Sequence, residues 1–158
     1  NVTASHHRWL GTIFVVVHYD WETLSDGVHR CRLPFLDVTV GLVCCGHEVL
    51  LIDCGTTRSE AARITEDVGE LTDGVVTAVV LTHHHFDHIL GSAGFGGAVI
   101  HAPAIDAGSD VSAWPRALDR VLALGGPDAI YVPGHGAVVD AAFVRAQRGW
   151  LAARSPTA

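Results

Sequence analysis

The 158-residue sequence predicts a mixed α/β domain in which helices flank β-sheets. Two observations support this class. Strand-type apolar runs and helix-type segments alternate along the chain, and no linker divides them. Hydrophobic residues make up 49% of the chain, which is typical of a globular protein and leaves enough apolar material for a core. We therefore expect one domain over residues 1–158.

The first half of the chain predicts a succession of short strands. Apolar, β-branched runs at residues 12–18, 28–33 and 38–45 are separated by turn residues. A Gly46-His47 turn then leads into residues 49–53 as a hairpin partner. Thr57 and Glu60 have the spacing of a capping box, so a helix is expected over residues 59–71.

The second half predicts fewer strands and more helices. The apolar run at residues 75–82 has the composition of a strand buried on both faces. A short helix at residues 89–95 and a strand at 98–101 follow. Pro115 suits the first turn of a helix that extends to about residue 124, and residues 129–132 predict a short strand. Asp140 caps a final helix that ends near residue 153.

A cluster of metal-ligand side chains follows the strand at residues 75–82, and it consists of His83, His85, Asp87 and His88. Residues two apart in an extended segment point to the same side, so His83 and His85 can converge on one ion, whereas His84 points away. Asp87 and His88 can face a second ion at the usual two-metal separation of about 3.5–4 Å. Imidazole and carboxylate ligands predict one or two Zn²⁺ ions, with Fe or Mn as alternatives.

Thr82 and the following His-x-His-x-Asp-His pattern resemble the signature of the metallo-β-lactamase fold superfamily, in particular its glyoxalase-II-like hydrolases. Two further segments are similar to motifs of that family: residues 50–55, which contain Asp53, and the Pro-Gly-His-Gly turn around His135. The resemblance extends from about Val38 to Trp150. It implies an αββα sandwich with metal at one sheet edge, His135 as a further ligand, and Asp53 as a group that hydrogen-bonds near the ligands and orients an imidazole.

The sequence departs from the family pattern between His88 and His135, where a further His and a bridging Asp are expected in Gly-His-Thr and Gly-Asp contexts. One interpretation is that the turn at His135 is the third motif and the chain stops early, which groups His135 with His83 and His85. The interpretation that we favour is that it is the last motif, which groups His135 with Asp87 and His88. The middle motifs are then lost around residues 104–113. A reduced second sheet is expected, with an exposed sheet edge or a homo-oligomer contact as the result.

The resemblance implies a metal-dependent hydrolase that acts on an ester, thioester, lactone or amide, with Asp87 orienting or deprotonating the water. The alternatives are a catalytically degenerate metal-binding domain or truncated product, and an iron-dependent dioxygenase of a thiol compound. A small-molecule substrate is expected. The net charge of −7 argues against nucleic acid. No apolar run approaches the roughly 18 residues of a membrane span. Four cysteines without Cys-x-x-Cys spacing predict reduced thiols and a cytoplasmic location.

Overall fold

The computed structural model describes residues 17–102 and 113–154, and the chain forms two compact units, Asn1–Pro103 and Ala104–Ala158. Most of the strand predicted at residues 12–18 lies outside the described residues. The same is true of nearly all of the segment around 104–113 where we expect a deletion, so both stay predictions. The mixed α/β class is confirmed, because both units contribute helices and the first unit carries a β-sheet.

The described part of the first unit contains one six-stranded sheet whose strands lie side by side in chain order. The first four strands pair antiparallel and the last two are parallel to the fourth. The strands are β1 (Trp21–Ser25), β2 (Val28–Arg32), β3 (Thr39–Cys45), β4 (Glu48–Ile52), β5 (Val75–Val80) and β6 (Val99–His101). Strand β1 was not predicted, because Trp21–Ser25 contains few of the apolar residues that mark a strand in sequence.

Two helical segments make the parallel crossovers of this sheet. Helix α1 (Arg58–Leu71) connects β4 to β5, and its predicted capping box is confirmed: the Thr57 side chain accepts from the Glu60 backbone N–H at 3.1 Å. Helix α2 (Phe86–Ile89) and a 3₁₀ turn (Leu90–Gly94) connect β5 to β6. Parallel strands require such crossovers, and because β4 and β5 run in the same direction, the segments that follow them lie at the same sheet edge.

The core of the first unit lies between the sheet and α1. Alternate residues of β3 and β4 are fully buried, which is the period of a strand with one covered face. Helix α1 buries residues at helical spacing against them. The buried set includes Val40, Leu42, Val49, Leu51, Ala61, Ile64, Val68 and Val79.

Strand β5 differs from the expectation of a strand covered on both faces. Only Val79 is fully buried, Ala78 and Val80 are half-buried, and Val75 is 66% exposed. The expectation was wrong because a continuous apolar run does not reveal how many layers cover a strand. In this unit Val79 joins the core with α1, and the neighbours that point away from it keep contact with solvent.

The second unit pairs helix α3 (Trp114–Gly125) with helix α4 (Ala141–Ala152). Asp140 caps α4, as predicted, by accepting from the Phe143 backbone N–H at 2.8 Å. Arg148 of α4 donates two hydrogen bonds of 3.0 Å to the Asp119 carboxylate of α3. The predicted strand at 129–132 is wrong as a strand: within the described residues of this unit, β-pairing is limited to the isolated Tyr131–Val139 bridge.

No helix in the two described ranges combines the length and apolar character that a membrane crossing requires.

Candidate metal centre

The ends of β4 and β5 bring Asp53 beside Thr82. The two strands are parallel, with Ile52 opposite Val80, and the Asp53 backbone N–H continues the ladder by donating to the Val80 carbonyl at 2.9 Å. Asp53 has a φ of +61°, an uncommon backbone conformation for a residue other than glycine. Residues held in this way cluster at functional sites, where the surrounding contacts maintain them.

Asp53 is 1% exposed and its carboxylate accepts three hydrogen bonds. The donors are the Thr82 backbone N–H at 2.8 Å, the Thr82 hydroxyl at 2.7 Å and His88 Nδ1 at 2.7 Å. An ionised carboxylate can only accept, so Nδ1 of His88 carries the proton. The opposite nitrogen, Nε2, is therefore the one that can coordinate a metal, and a carboxylate behind a ligating imidazole is the usual device for fixing its orientation.

The same carboxylate orients His83 through Thr82. The Thr82 hydroxyl donates to Asp53, so it accepts from His83 Nδ1 at 3.0 Å. This leaves Nε2 as the ring atom of His83 that could coordinate a metal. The sequence reasoning did not assign a role to Thr82. Its position directly before the histidine cluster, just past the end of a strand parallel to the one that Asp53 follows, is the signal that could have identified it.

Three imidazoles of the cluster lie in contact. The ring centroids of His83 and His88 are 4.2 Å apart, and those of His83 and His85 are 4.5 Å apart. Burial lowers the pKa of His83, and the neighbouring His88 and His85 imidazoles lower it further. A lowered pKa keeps His83 neutral, which is the form of imidazole that binds metal.

Asp87 lies in the first turn of α2 beside His88. Its carboxylate is largely buried, and Oδ2 is 3.5 Å from His88 Nε2. His84 is exposed, with its ring 5.4 Å from that of His85. The first unit thus brings four predicted ligands to one sheet edge: His83, His85, Asp87 and His88. His135 belongs to the second unit, in the turn between Tyr131 and Val139, and is exposed.

The loop after Asp53 supports the segment that carries His88. The Cys54 thiol donates to the His88 carbonyl at 3.1 Å, and burial raises the pKa of this thiol to about 12, so it stays a protonated donor. The Gly91 backbone N–H donates to the Gly55 carbonyl at 2.9 Å. A Cβ at Gly91 would lie 2.0 Å from the Cys54 carbonyl oxygen, so only glycine permits this approach.

The donor set fits a divalent transition metal. Imidazole nitrogens and one carboxylate converge, two of the imidazoles have their Nδ1 atoms fixed by hydrogen bonds, and His88 is fully buried. Such a set suits zinc, and it also suits iron and manganese.

Comparison with known families identifies the family of the chain. Residues 33–157 match the family model of the Metallo-beta-lactamase superfamily. The chain belongs to the metallo-β-lactamase superfamily. The resemblance read from the motifs at Asp53, at residues 83–88 and at His135 is therefore confirmed at the level of the family.

Solved metallo-β-lactamases share the fold. The chain is similar to the FIM-1 enzyme from Pseudomonas aeruginosa, solved in a mono-zinc form, with a TM-score of 0.74 and 13% identity over 88% of this chain and 97% of that one. A metallo-β-lactamase from Hirschia baltica gives 0.69 and 12% over 85% and 97%. An NDM/FIM-1-like enzyme from Erythrobacter litoralis, also in a mono-zinc form, gives 0.66 and 17% over 85% and 96%. These likenesses confirm the metallo-β-lactamase fold. The chain has no significant match among curated protein sequences.

Proposed function

We propose that this metallo-β-lactamase superfamily chain is a metal-dependent hydrolase that activates water for attack on an ester, thioester, lactone or amide carbonyl. The observation that carries the proposal is the buried hydrogen bond between Asp53 and His88 Nδ1, with the other ring nitrogen, Nε2, 3.5 Å from an Asp87 carboxylate oxygen. A carboxylate-oriented imidazole next to a second carboxylate is an arrangement that metal hydrolases use.

We propose His83, His85, Asp87, His88 and His135 as the ligand set, for one or two Zn²⁺ ions or for Fe or Mn. His135, from the second unit, is grouped with Asp87 and His88 because its Pro-Gly-His-Gly turn resembles the final motif of the family. Three ligands and one open coordination position are the usual pattern of catalytic zinc. His83 and His85 then hold any second ion with two protein ligands, so that ion should bind weakly.

Each residue has a defined chemical task in this mechanism. A bound divalent metal supplies Lewis-acid activation of water and of the carbonyl oxygen. The Asp87 carboxylate orients or deprotonates the attacking water. Asp53 holds Nδ1 of His88 protonated directly and Nδ1 of His83 through the Thr82 hydroxyl, so both rings keep Nε2 toward the site. The lowered pKa of His83 favours the neutral form of this imidazole, which is the form that binds metal.

The substrate that we propose is a small molecule, because a net charge of −7 is unsuited to a nucleic-acid backbone. The four cysteines are free thiols, which supports a reducing compartment and hence a cytoplasmic location. We also propose a contact between copies of the chain. The sequence lacks motifs that normally contribute to a second sheet, and an exposed sheet edge would favour such a contact.

A degenerate metal-binding domain is the second candidate, and one observation favours it. The sequence between His88 and His135 lacks the further His and the bridging Asp of the family pattern. A poorly positioned nucleophile loses about 100-fold in rate for a misplacement of about 1 Å. We therefore expect hydrolysis well below an ordinary efficiency of about 10⁵ M⁻¹s⁻¹.

Elemental analysis of the purified protein together with turnover of a small ester and thioester panel tests the proposal. Wild type should contain a transition metal and hydrolyse at least one substrate slowly. Replacing His83 and His85 together with Ala should remove most of the metal and the activity, whereas His84→Ala should keep both. Metal with no turnover above the double variant would favour the degenerate domain. Iron with oxygen-dependent consumption of a thiol compound would favour the dioxygenase.

Metal titration into His83→Ala and His88→Ala tests the grouping of His135. If His135 acts with Asp87 and His88, the tight site survives in His83→Ala and is lost in His88→Ala. The reverse result would place His135 with His83 and His85.

A further inference from the structure

A cleft of about 230 Å³ in the first unit lies at the start of α1, apart from the predicted metal ligands. Its apolar wall is formed by Pro34 and Phe35, and its polar wall by Tyr19, Glu60 and Arg63. The volume is below that of pockets for drug-sized molecules, so a ligand with few heavy atoms fits it.

Glu60 supplies one carboxylate oxygen to α1 and the other to this wall. Oε2 accepts from the Thr56 and Thr57 backbone N–H groups at 3.0 and 2.9 Å, and from the Thr57 hydroxyl at 3.1 Å. Oε1 is buried and has no hydrogen-bond partner among the described residues. Glu60 as a whole is only 7% exposed. The Glu60 carboxylate thus already occupies the helix N-terminus, so a bound anion is disfavoured there. The buried Oε1 atom requires a hydrogen-bond donor instead.

Tyr19 also lines this cleft. The residue is 8% exposed, and no described residue accepts a hydrogen bond from its hydroxyl. Burial raises the pKa of Tyr19, so the hydroxyl remains a donor at neutral pH. The Arg63 side chain, next along the helix face, lowers that pKa in part, first by hydrogen-bonding to the phenol oxygen and then by its positive charge.

We propose that this cleft binds a small zwitterion of the α-amino acid class. The ligand's ammonium group donates to Glu60 Oε1, its carboxylate accepts from the Tyr19 hydroxyl and pairs with Arg63, and its side chain lies against Pro34 and Phe35. The positive charge of Arg63 repels a simple cation, and the negative charge of Glu60 repels a simple anion. A zwitterion can instead pair each of its two charges with the residue of opposite charge.

Access to the two buried oxygens of the cleft is also part of the proposal. The buried polar atoms of Tyr19 and Glu60 are not in contact with solvent, whereas Arg63 is exposed at the side of the phenol. Because a long exposed side chain changes rotamer readily, the proposal includes a movement of the Arg63 guanidinium that opens the route to both atoms. The inference does not depend on the proposed hydrolase activity, because no predicted metal ligand lines the cleft.

Calorimetric titration of the 158-residue protein with L-leucine tests the proposal, using isoamylamine and 4-methylpentanoate as analogues that lack one charged group each. For so small a ligand we expect a dissociation constant of about 1 mM. Each analogue should bind about tenfold or more weakly, since each leaves a buried polar group unpaired.

Two variants locate the site. Glu60→Gln retains the capping box but loses the carboxylate charge, and Tyr19→Phe removes only the hydroxyl. Both should weaken leucine binding about tenfold or more, whereas Glu70→Gln, on the exposed face of the same helix, should not change it.

Amino acids also chelate metals, so the His83→Ala, His85→Ala double variant is titrated as well and should bind leucine as wild type does. Loss of binding there would place leucine on metal and overturn the proposal. Absence of binding up to about 10 mM, or equal binding to wild type, Glu60→Gln and Tyr19→Phe, would also overturn it and indicate that ordered water satisfies the cleft.

Discussion

Replacing Asp53 measures how strongly one carboxylate organises the metal centre. Asp53→Ala leaves the Thr82 N–H, the Thr82 hydroxyl and His88 Nδ1 without their acceptor. Each hydrogen bond to a charged group is worth about 1.5–3 kcal/mol. The three share one group and are not additive, and removal of one partner from a buried ionic contact costs about 3–5 kcal/mol. The alanine also adopts a φ of +61°, which costs about 1 kcal/mol more.

We therefore expect Asp53→Ala to lower the free energy of unfolding by about 4–6 kcal/mol. Asp53→Asn keeps one acceptor oxygen and tolerates the positive φ, so a loss of about 2 kcal/mol is expected. Metal affinity should fall about 10–100-fold in either variant, because the imidazoles lose their orientation.

Urea unfolding in the presence of a chelator gives the stability without a contribution from bound metal, and competition with a chromogenic chelator gives the affinity. Asp73→Asn replaces an exposed loop carboxylate and serves as the control, with an expected change within about 0.5 kcal/mol. Unfolding free energies of Asp53→Ala and Asp73→Asn that agree within about 1 kcal/mol would refute the reasoning, because the buried donors would then have found other partners.

Three further changes test the supports of the fold. Gly91→Ala should destabilise the protein by about 3 kcal/mol or more, because the added Cβ would clash with the Cys54 carbonyl. The control is Gly96→Ala, whose Cβ would have no neighbouring atom within 4 Å and which should change stability by less than about 1 kcal/mol. Thermal unfolding compares the two variants. Asp67→Ala should lower the free energy of unfolding by about 3–5 kcal/mol, because the buried carboxylate accepts from the His18 and Tyr19 backbone N–H groups and from Trp21 Nε1. A loss below about 1 kcal/mol in urea unfolding would contradict this prediction. Burial, and then the charge of Asp67, raise the pKa of Cys31 above its ordinary value of 9.0, so the folded protein retains a proton that the unfolded chain releases. The free energy of unfolding should accordingly fall as the pH rises above about 9, with a shallower slope in Cys31→Ala; equal slopes would argue against this assignment.

The sequence by itself determined most of the local structure of the first unit. Strands β2, β3 and β4 lie within one or two residues of their predicted bounds, and α1 begins at its predicted capping box. These features depend on hydrophobic period and on contacts between residues three apart, both of which can be read along the chain. The spacing of the histidines and Asp87 likewise predicted which side chains gather after β5, although their binding of metal stays a prediction.

Only the tertiary structure decided which residues hold the cluster in place. Thr82 links Asp53 to His83 because β4 and β5 are parallel neighbours in one particular register, and a register is not encoded in either strand alone. The burial of β5 on a single face and the pairing of β1 depend in the same way on which elements pack against them. Local patterns specify the period and ends of an element, whereas its neighbours are fixed by the burial of apolar surface and the pairing of polar groups across the whole unit.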